Sequence, residues 1–220
     1  MFAASSNTPD TSTALTRGHK KKARTRQTLL DAAMEIYAQD GISALTLNDL
    51  AVKANVSNGT IYNYFKTRED VLEAVSIELA NQFSEYITLV SANIHSGSHR
   101  TVIGIRMFIQ RALIDFNWAR ALLHVIHFDK GMRSTLADAV RKDLKAGLDE
   151  GIFNYVDEEI ALTLFISSTI GLLIKIVEER YKEEDDLKLI EMILKALGVD
   201  PTLAPHIARL NIPDIVAPSS

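Results

Sequence analysis

Asn58, Gly59, Thr60, Tyr62, Asn63 and Tyr64 crowd into one short stretch, with Ser57 just before it. Amide and hydroxyl groups of this kind can give and take hydrogen bonds at base edges, and a threonine methyl can meet a thymine methyl. Thr46, Tyr64 and Lys66 are the types that meet phosphate oxygens. Further upstream, Arg17, His19, Lys20, Lys21, Lys22, Arg24 and Arg26 follow one another with no acid among them. Such a run is often only a solvated tail, but next to the stretch above it suits phosphates or a minor groove. The stretch from Ser57 to Phe65 has no arginine or lysine, so the strongest guanine-reading contact is missing there.

Other chemistry is thinly supplied. His124 and His127 stand three apart near Asp129, a weak set for zinc without a third firm ligand. His95 and His99 fall in a Gly/Ser segment that predicts a loop. There are no cysteines, which excludes disulfides and thiolate metal sites. No nucleophile elbow, phosphate-binding glycine loop or HExxH is present. The residues therefore ask for neither catalysis nor a metal or other cofactor.

Two short helices must position the first group. Thr46 predicts an N-cap for Leu47 to Ala54, with Asp49 at the capping-box spacing, and Ser57 caps Asn58 to Phe65. Asn55 falls where the connection needs a left-handed residue, a conformation asparagine tolerates. Leu50, Ala51, Val56, Ile61 and Phe65 supply the inner face. Tyr62 and Tyr64 cannot both join Phe65 inside. The pair reads as a helix-turn-helix, preceded by a helix from about Arg24 to Gln39 and followed by a long one from Arg68 to about Ser91. An ordinary pair of short surface helices would share the geometry but not this context.

Residues 25 to 75 resemble the DNA-binding domain of the TetR family of bacterial transcription regulators. The resemblance is carried by Leu29-Leu30-Asp31-Ala32-Ala33, Ala38-Gln39-Asp40-Gly41, Thr46-Leu47-Asn48-Asp49-Leu50-Ala51, Val56 to Phe65 and Lys66-Thr67-Arg68-Glu69. Asn55 departs from the family's usual glycine. The resemblance implies that Thr46, Tyr64 and Lys66 meet the DNA backbone. It also implies a small-molecule pocket behind the long helix and a dimer made by the last two helices of each subunit.

The rest of the chain is consistent with a helical body. No proline lies between Pro9 and Pro201. Residues 1–66 carry a net +3 and residues 67–220 a net −7, a basic head on an acidic body. The expected architecture is all-α, with about nine helices. Residues 1–23 are expected to be a disordered basic arm and 24–66 the three-helix head. Residues 67–200 would form an effector-binding and dimerisation body, and 201–220 an irregular tail. Residues 160–174 are uncharged, too short to span a bilayer comfortably and apolar on all sides, which fits either a central core helix or, as the resemblance implies, a helix with one face packed on a second subunit. Leu164, Ser168, Gly171, Ile190, Ile193 and Leu197 are the expected dimer residues. Met107, Phe108, Arg111, Trp118, His127, Phe165 and Thr169 are the expected pocket residues, each as compatible with plain core.

These readings converge on a cytoplasmic homodimer that binds double-stranded DNA at a palindrome through Lys20, Lys21, Lys22, Arg24, Thr46, Ser57, Asn58, Gly59, Thr60, Tyr62, Asn63, Tyr64 and Lys66. It would be a repressor released by a small, largely apolar effector. The alternative is a DNA-binding regulator with no effector, whose body serves dimerisation or a protein partner.

Overall fold

The computed structural model describes residues 17–126 and 130–212. Its described residues form ten α-helices and one 3-10 turn, with no strand. Helix α1 (Arg17–Asp40), a 3-10 turn (Ile42–Ala44), α2 (Leu47–Lys53) and α3 (Asn58–Tyr62) make the head. The long α4 (Arg68–Ser91) leads into α5 (Gly97–Ile114), α6 (Phe116–Ile126), α7 (Lys130–Asp149), α8 (Glu158–Val177), α9 (Asp185–Ala196) and α10 (Ala204–Ala208).

Helix starts follow the local sequence. Thr67 accepts from the Asp70 backbone N–H at 3.1 Å while the Asp70 carboxylate accepts from the Thr67 N–H, a complete capping box that fixes the start of α4. Asp157 caps α8 by accepting from Ile160 N–H at 2.9 Å. At α9 neither Asp185 nor Asp186 serves as the cap. Glu184 takes that place with a left-handed φ of 66° and no side-chain bond, because Asp185 is occupied by Lys175 and by the Lys182 N–H.

Three segments expected to be irregular are helical. α1 begins at Arg17, so residues 17–23 of the expected disordered arm continue the first helix. Lysine, arginine and alanine favour a helix there, and the Thr25 hydroxyl donates back to the Lys21 carbonyl at 3.1 Å. Residues 1–16 lie outside the described region. The expected loop at 95–99 is instead a helix start, with Ser96 as N-cap of α5 and the Glu150 carboxylate accepting from Gly97 N–H at 2.7 Å. The expected irregular tail holds α10, with Pro205 in its first turn, where no N–H is needed. Ala204, Ile207 and Ala208 are buried in the core. Beyond it, Arg106 donates to the Leu210 carbonyl at 2.8 Å. Residues 213–220 lie outside the described region.

Head and body meet over more than one lever helix. α4 runs from the head into the body, and α6 packs along α1 as well as against α4 and α8. In α8, Ala161, Leu162, Phe165, Thr169, Leu172, Leu173 and Ile176 face inward. The other side is uncovered, with Ile160 68% and Leu164 37% exposed. By length and composition this helix could also cross a membrane, at a mean hydropathy of 2.2.

Candidate nucleic-acid interface

The helix-turn-helix closes on a small apolar seam. Leu50 and Ile61 are fully buried, and Ala51 and Phe65 nearly so. Asn55 adopts φ 53°, and the chain turns with the Val56 N–H donating to the Ala51 carbonyl at 2.9 Å. Ser57 accepts from the Thr60 N–H at 3.2 Å, and the two hydroxyls lie 2.9 Å apart. The contact with Ser57 therefore occupies one of the hydrogen-bonding sites of the Thr60 hydroxyl.

Asn58, Gly59, Tyr62 and Asn63 are exposed, whereas Thr60 is half-buried. The two tyrosines separate. Tyr62 is 47% exposed, while Tyr64 is half-buried against the core and donates its hydroxyl to the Lys22 carbonyl at 3.2 Å. Lys66 is exposed, and its ammonium donates to the Tyr62 carbonyl. Thr46 caps α2 with the Asp49 N–H at 3.1 Å and leaves its side chain at the surface. Lys20, Lys21, Lys22 and Arg24 stand exposed on the helical start of α1.

One residue outside the expected set joins this surface. Arg68 lines an open hollow of about 300 Å³ together with Leu45, Thr46, Leu47, Asn48 and Tyr62. Its charge also reaches inward. Burial pushes the Tyr37 hydroxyl far above its usual range, and Arg68 works against that shift. The sequence signal was its place at the first residue of α4, directly after the Thr67 cap. The hollow brings Thr46, Tyr62 and a guanidinium to one place, a set suited to an anionic, sugar-bearing backbone.

In the body, part of the expected pocket set gathers. Phe108 and Trp118 pack edge to face with centroids 5.4 Å apart, and the Arg111 guanidinium lies 5.7 Å from the Trp118 ring. Arg111 also pairs with Asp115 at 2.9 Å, and its Nε is buried with no partner among the described residues. Phe165 and Thr169 are buried on α8, and the Thr169 hydroxyl is spent on the Phe165 carbonyl at 2.8 Å. Met107 is buried on α5, and His127 lies outside the described residues. Among the described residues no three His, Asp or Glu side chains gather to hold a metal.

The expected dimer set divides. Leu164 and Gly171 are exposed on α8 and Ser168 is half-buried. Ile190, Ile193 and Leu197 are enclosed by their own chain, at 0%, 2% and 0% exposure, and offer no area to a second subunit. Their spacing marked the inward face of α9, and the outward face presents Met192, 69% exposed.

Two family models match, the bacterial regulatory proteins of the tetR family over residues 29–75 and the tetracyclin repressor-like C-terminal domain over residues 100–210. The chain belongs to the TetR family. Relatives of this TetR-family chain include the HTH-type transcriptional regulator LuxR of Vibrio harveyi, 38% identical over 63 residues, which are 29% of this chain and 31% of LuxR. The fatty acid metabolism regulator protein of Bacillus subtilis is 38% identical over 66 residues, 30% of this chain and 34% of that protein. The chain thus spans about a third of the length of these curated relatives. Among solved structures, RolR in complex with resorcinol has the same fold, with a TM-score of 0.67 at 24% identity, covering 89% of this chain and 98% of RolR. The TetR-type helical body therefore accompanies the TetR-type head in one chain.

Proposed function

We propose that this TetR-family transcriptional regulator is a homodimeric, cytoplasmic repressor that leaves a palindromic operator when a small, largely apolar effector binds its body. The observation that carries the DNA-binding part is the exposed, uncharged surface of Asn58, Gly59, Tyr62 and Asn63, flanked by Thr46, Lys66 and Arg68. Base edges would be met by Asn58, Thr60, Tyr62 and Asn63, and phosphates by Thr46, Ser57, Lys66, Arg68 and one face of the basic start of α1. With no cation on α3, affinity per half-site is modest, and two heads about one helical turn apart supply the rest. The uncovered α8 face supports dimerisation.

The Phe108–Trp118 pair beside Arg111 supports an aromatic effector carrying a hydroxyl or carboxylate. RolR, whose structure holds resorcinol, points the same way. Release requires that the effector prefer the DNA-free form. The close packing of Phe108 on Trp118 also favours a second reading, in which the body only dimerises or meets a protein partner. A titration on DNA from upstream of the protein's own gene, across a salt series, tests the first reading. One palindromic site that resists competitor DNA is expected, and aromatic acids and phenols should release it. Salt-labile binding to every duplex alike would overturn the repressor reading.

A further inference from the structure

Lys22, Arg26, Leu29, Ala33 and Ile36 follow one another in steps of four and three, the repeat of a single helix face. Leu29 and Ala33 are fully buried and Ile36 is 8% exposed, so this side of α1 faces the core. Lys22 and Arg26 continue the same line past the end of that core and are exposed. The Tyr64 hydroxyl meets the Lys22 carbonyl at 3.2 Å, which seats the segment following α3 beside these two cations. Lys20 and Arg24 fall on the opposite face, in line with the exposed Thr28 and Asp31.

Neither Lys22 nor Arg26 has a carboxylate partner among the described residues. Asp31, the first acid of the helix, takes a hydrogen bond from Gln27 at 3.0 Å. A flexible arm would let every cation share the duplex. A helix fixes direction, and its two faces stand about 10 Å apart with side chains included. That separation is about one Debye length at 0.1 M salt, so cations on the far face are largely screened from a phosphate touched by the near one.

We infer that Lys22 and Arg26 form a directed contact with the phosphates flanking the recognition helix, and that Lys20 and Arg24, on the far face, do not touch the duplex. This rests on the DNA-binding reading above and narrows it. Arg26 enters the interface, and Lys20 and Arg24 leave it.

Two double variants of the full chain separate the possibilities, because each removes the same charge. K22Q/R26Q and K20Q/R24Q are titrated on a mixed-sequence duplex of about 30 base pairs, long enough for two half-sites about 10 base pairs apart with flanks. The slope of log affinity against log salt is the readout. K22Q/R26Q should make it shallower by about 1.8 per bound protomer, at about 0.9 per lost phosphate contact. The charge-retaining K22R/R26K should restore it, and K20Q/R24Q should leave it within a few tenths of the parent. Equal losses in both variants, or no loss in either, overturn the directed contact. Failure of the unaltered protein to bind any duplex would overturn the DNA-binding reading itself, and that is seen before the variants are compared.

Discussion

The His124 ring, near the end of α6, stands against Gly41 just past the end of α1. A Cβ on Gly41 would lie 3.6 Å from its Cε1 and 3.8 Å from its Nδ1. That space would admit a methyl group. Backbone conformation is what demands glycine, since Gly41 holds φ at 79°. Gly41→Ala should therefore destabilise the protein by about 1 to 2 kcal/mol. Urea unfolding measures this, and an unchanged midpoint would show that the turn relaxes.

Asn55 makes the complementary case inside the helix-turn-helix. At φ 53° it occupies a conformation glycine reaches freely and alanine does not. Asn55→Gly should leave stability within about 0.5 kcal/mol, while Asn55→Ala should cost about 1 kcal/mol. Thermal midpoints of the pair decide it. Equal losses would mean that the asparagine side chain, rather than the backbone, holds the turn.

Acid should weaken the fold through three carboxylates. Asp70 is held below its usual range by the Lys66 backbone N–H and then by Thr67, Asp185 by Lys175, and Asp200 by the Thr202 hydroxyl. Each lowered value means that stabilisation is complete above the unfolded carboxylate range, near pH 4, and drains as pH falls through the folded value. Asp143 has the opposite sign. Burial raises it against the pull of Arg100, so protonation there is favoured by folding. Three groups against one predict a net loss on acidification. Asp70→Asn should flatten the acidic limb of a stability–pH curve, and an unaltered limb would remove Asp70 from the account.

The uncovered side of α8 predicts an oligomeric state. Ile160 and Leu164 are exposed on it at 68% and 37%, and Gly171 lies two turns further along. Replacing Ile160 and Leu164 together by glutamate should yield monomers in light scattering and abolish cooperative binding to a palindrome. The substituted sites are at the surface, so the secondary structure should be retained. Dimers persisting in this variant would place the interface elsewhere.

The parts legible in the sequence were those written in short-range chemistry. The Thr67–Asp70 box set the start of α4 at Arg68, and Asn55 marked the left-handed turn, because caps and turns are decided within a few residues. What was not legible depended on partners distant in the chain. Gly97 begins a helix because Glu150, far along, receives its N–H. Periodicity singled out Ile190, Ile193 and Leu197 as one apolar face but cannot say whether that face meets the same chain or another copy. The Tyr64 hydroxyl donates to the Lys22 carbonyl, a partner that only the helical start of α1 supplies. Arg68 was passed over because its relevance comes from a hollow shared by three elements.

The contacts of α6 with both α1 and α4 change what kind of machine the junction is. One helix joining head to body would act as a pendulum, free to swing about its root. Three mutually touching members form a truss, which resists shear until one joint gives way. In the proposed dimer the distance between the two heads would be a property of the whole triangle, and loosening any one of its joints would loosen the calliper that measures the operator.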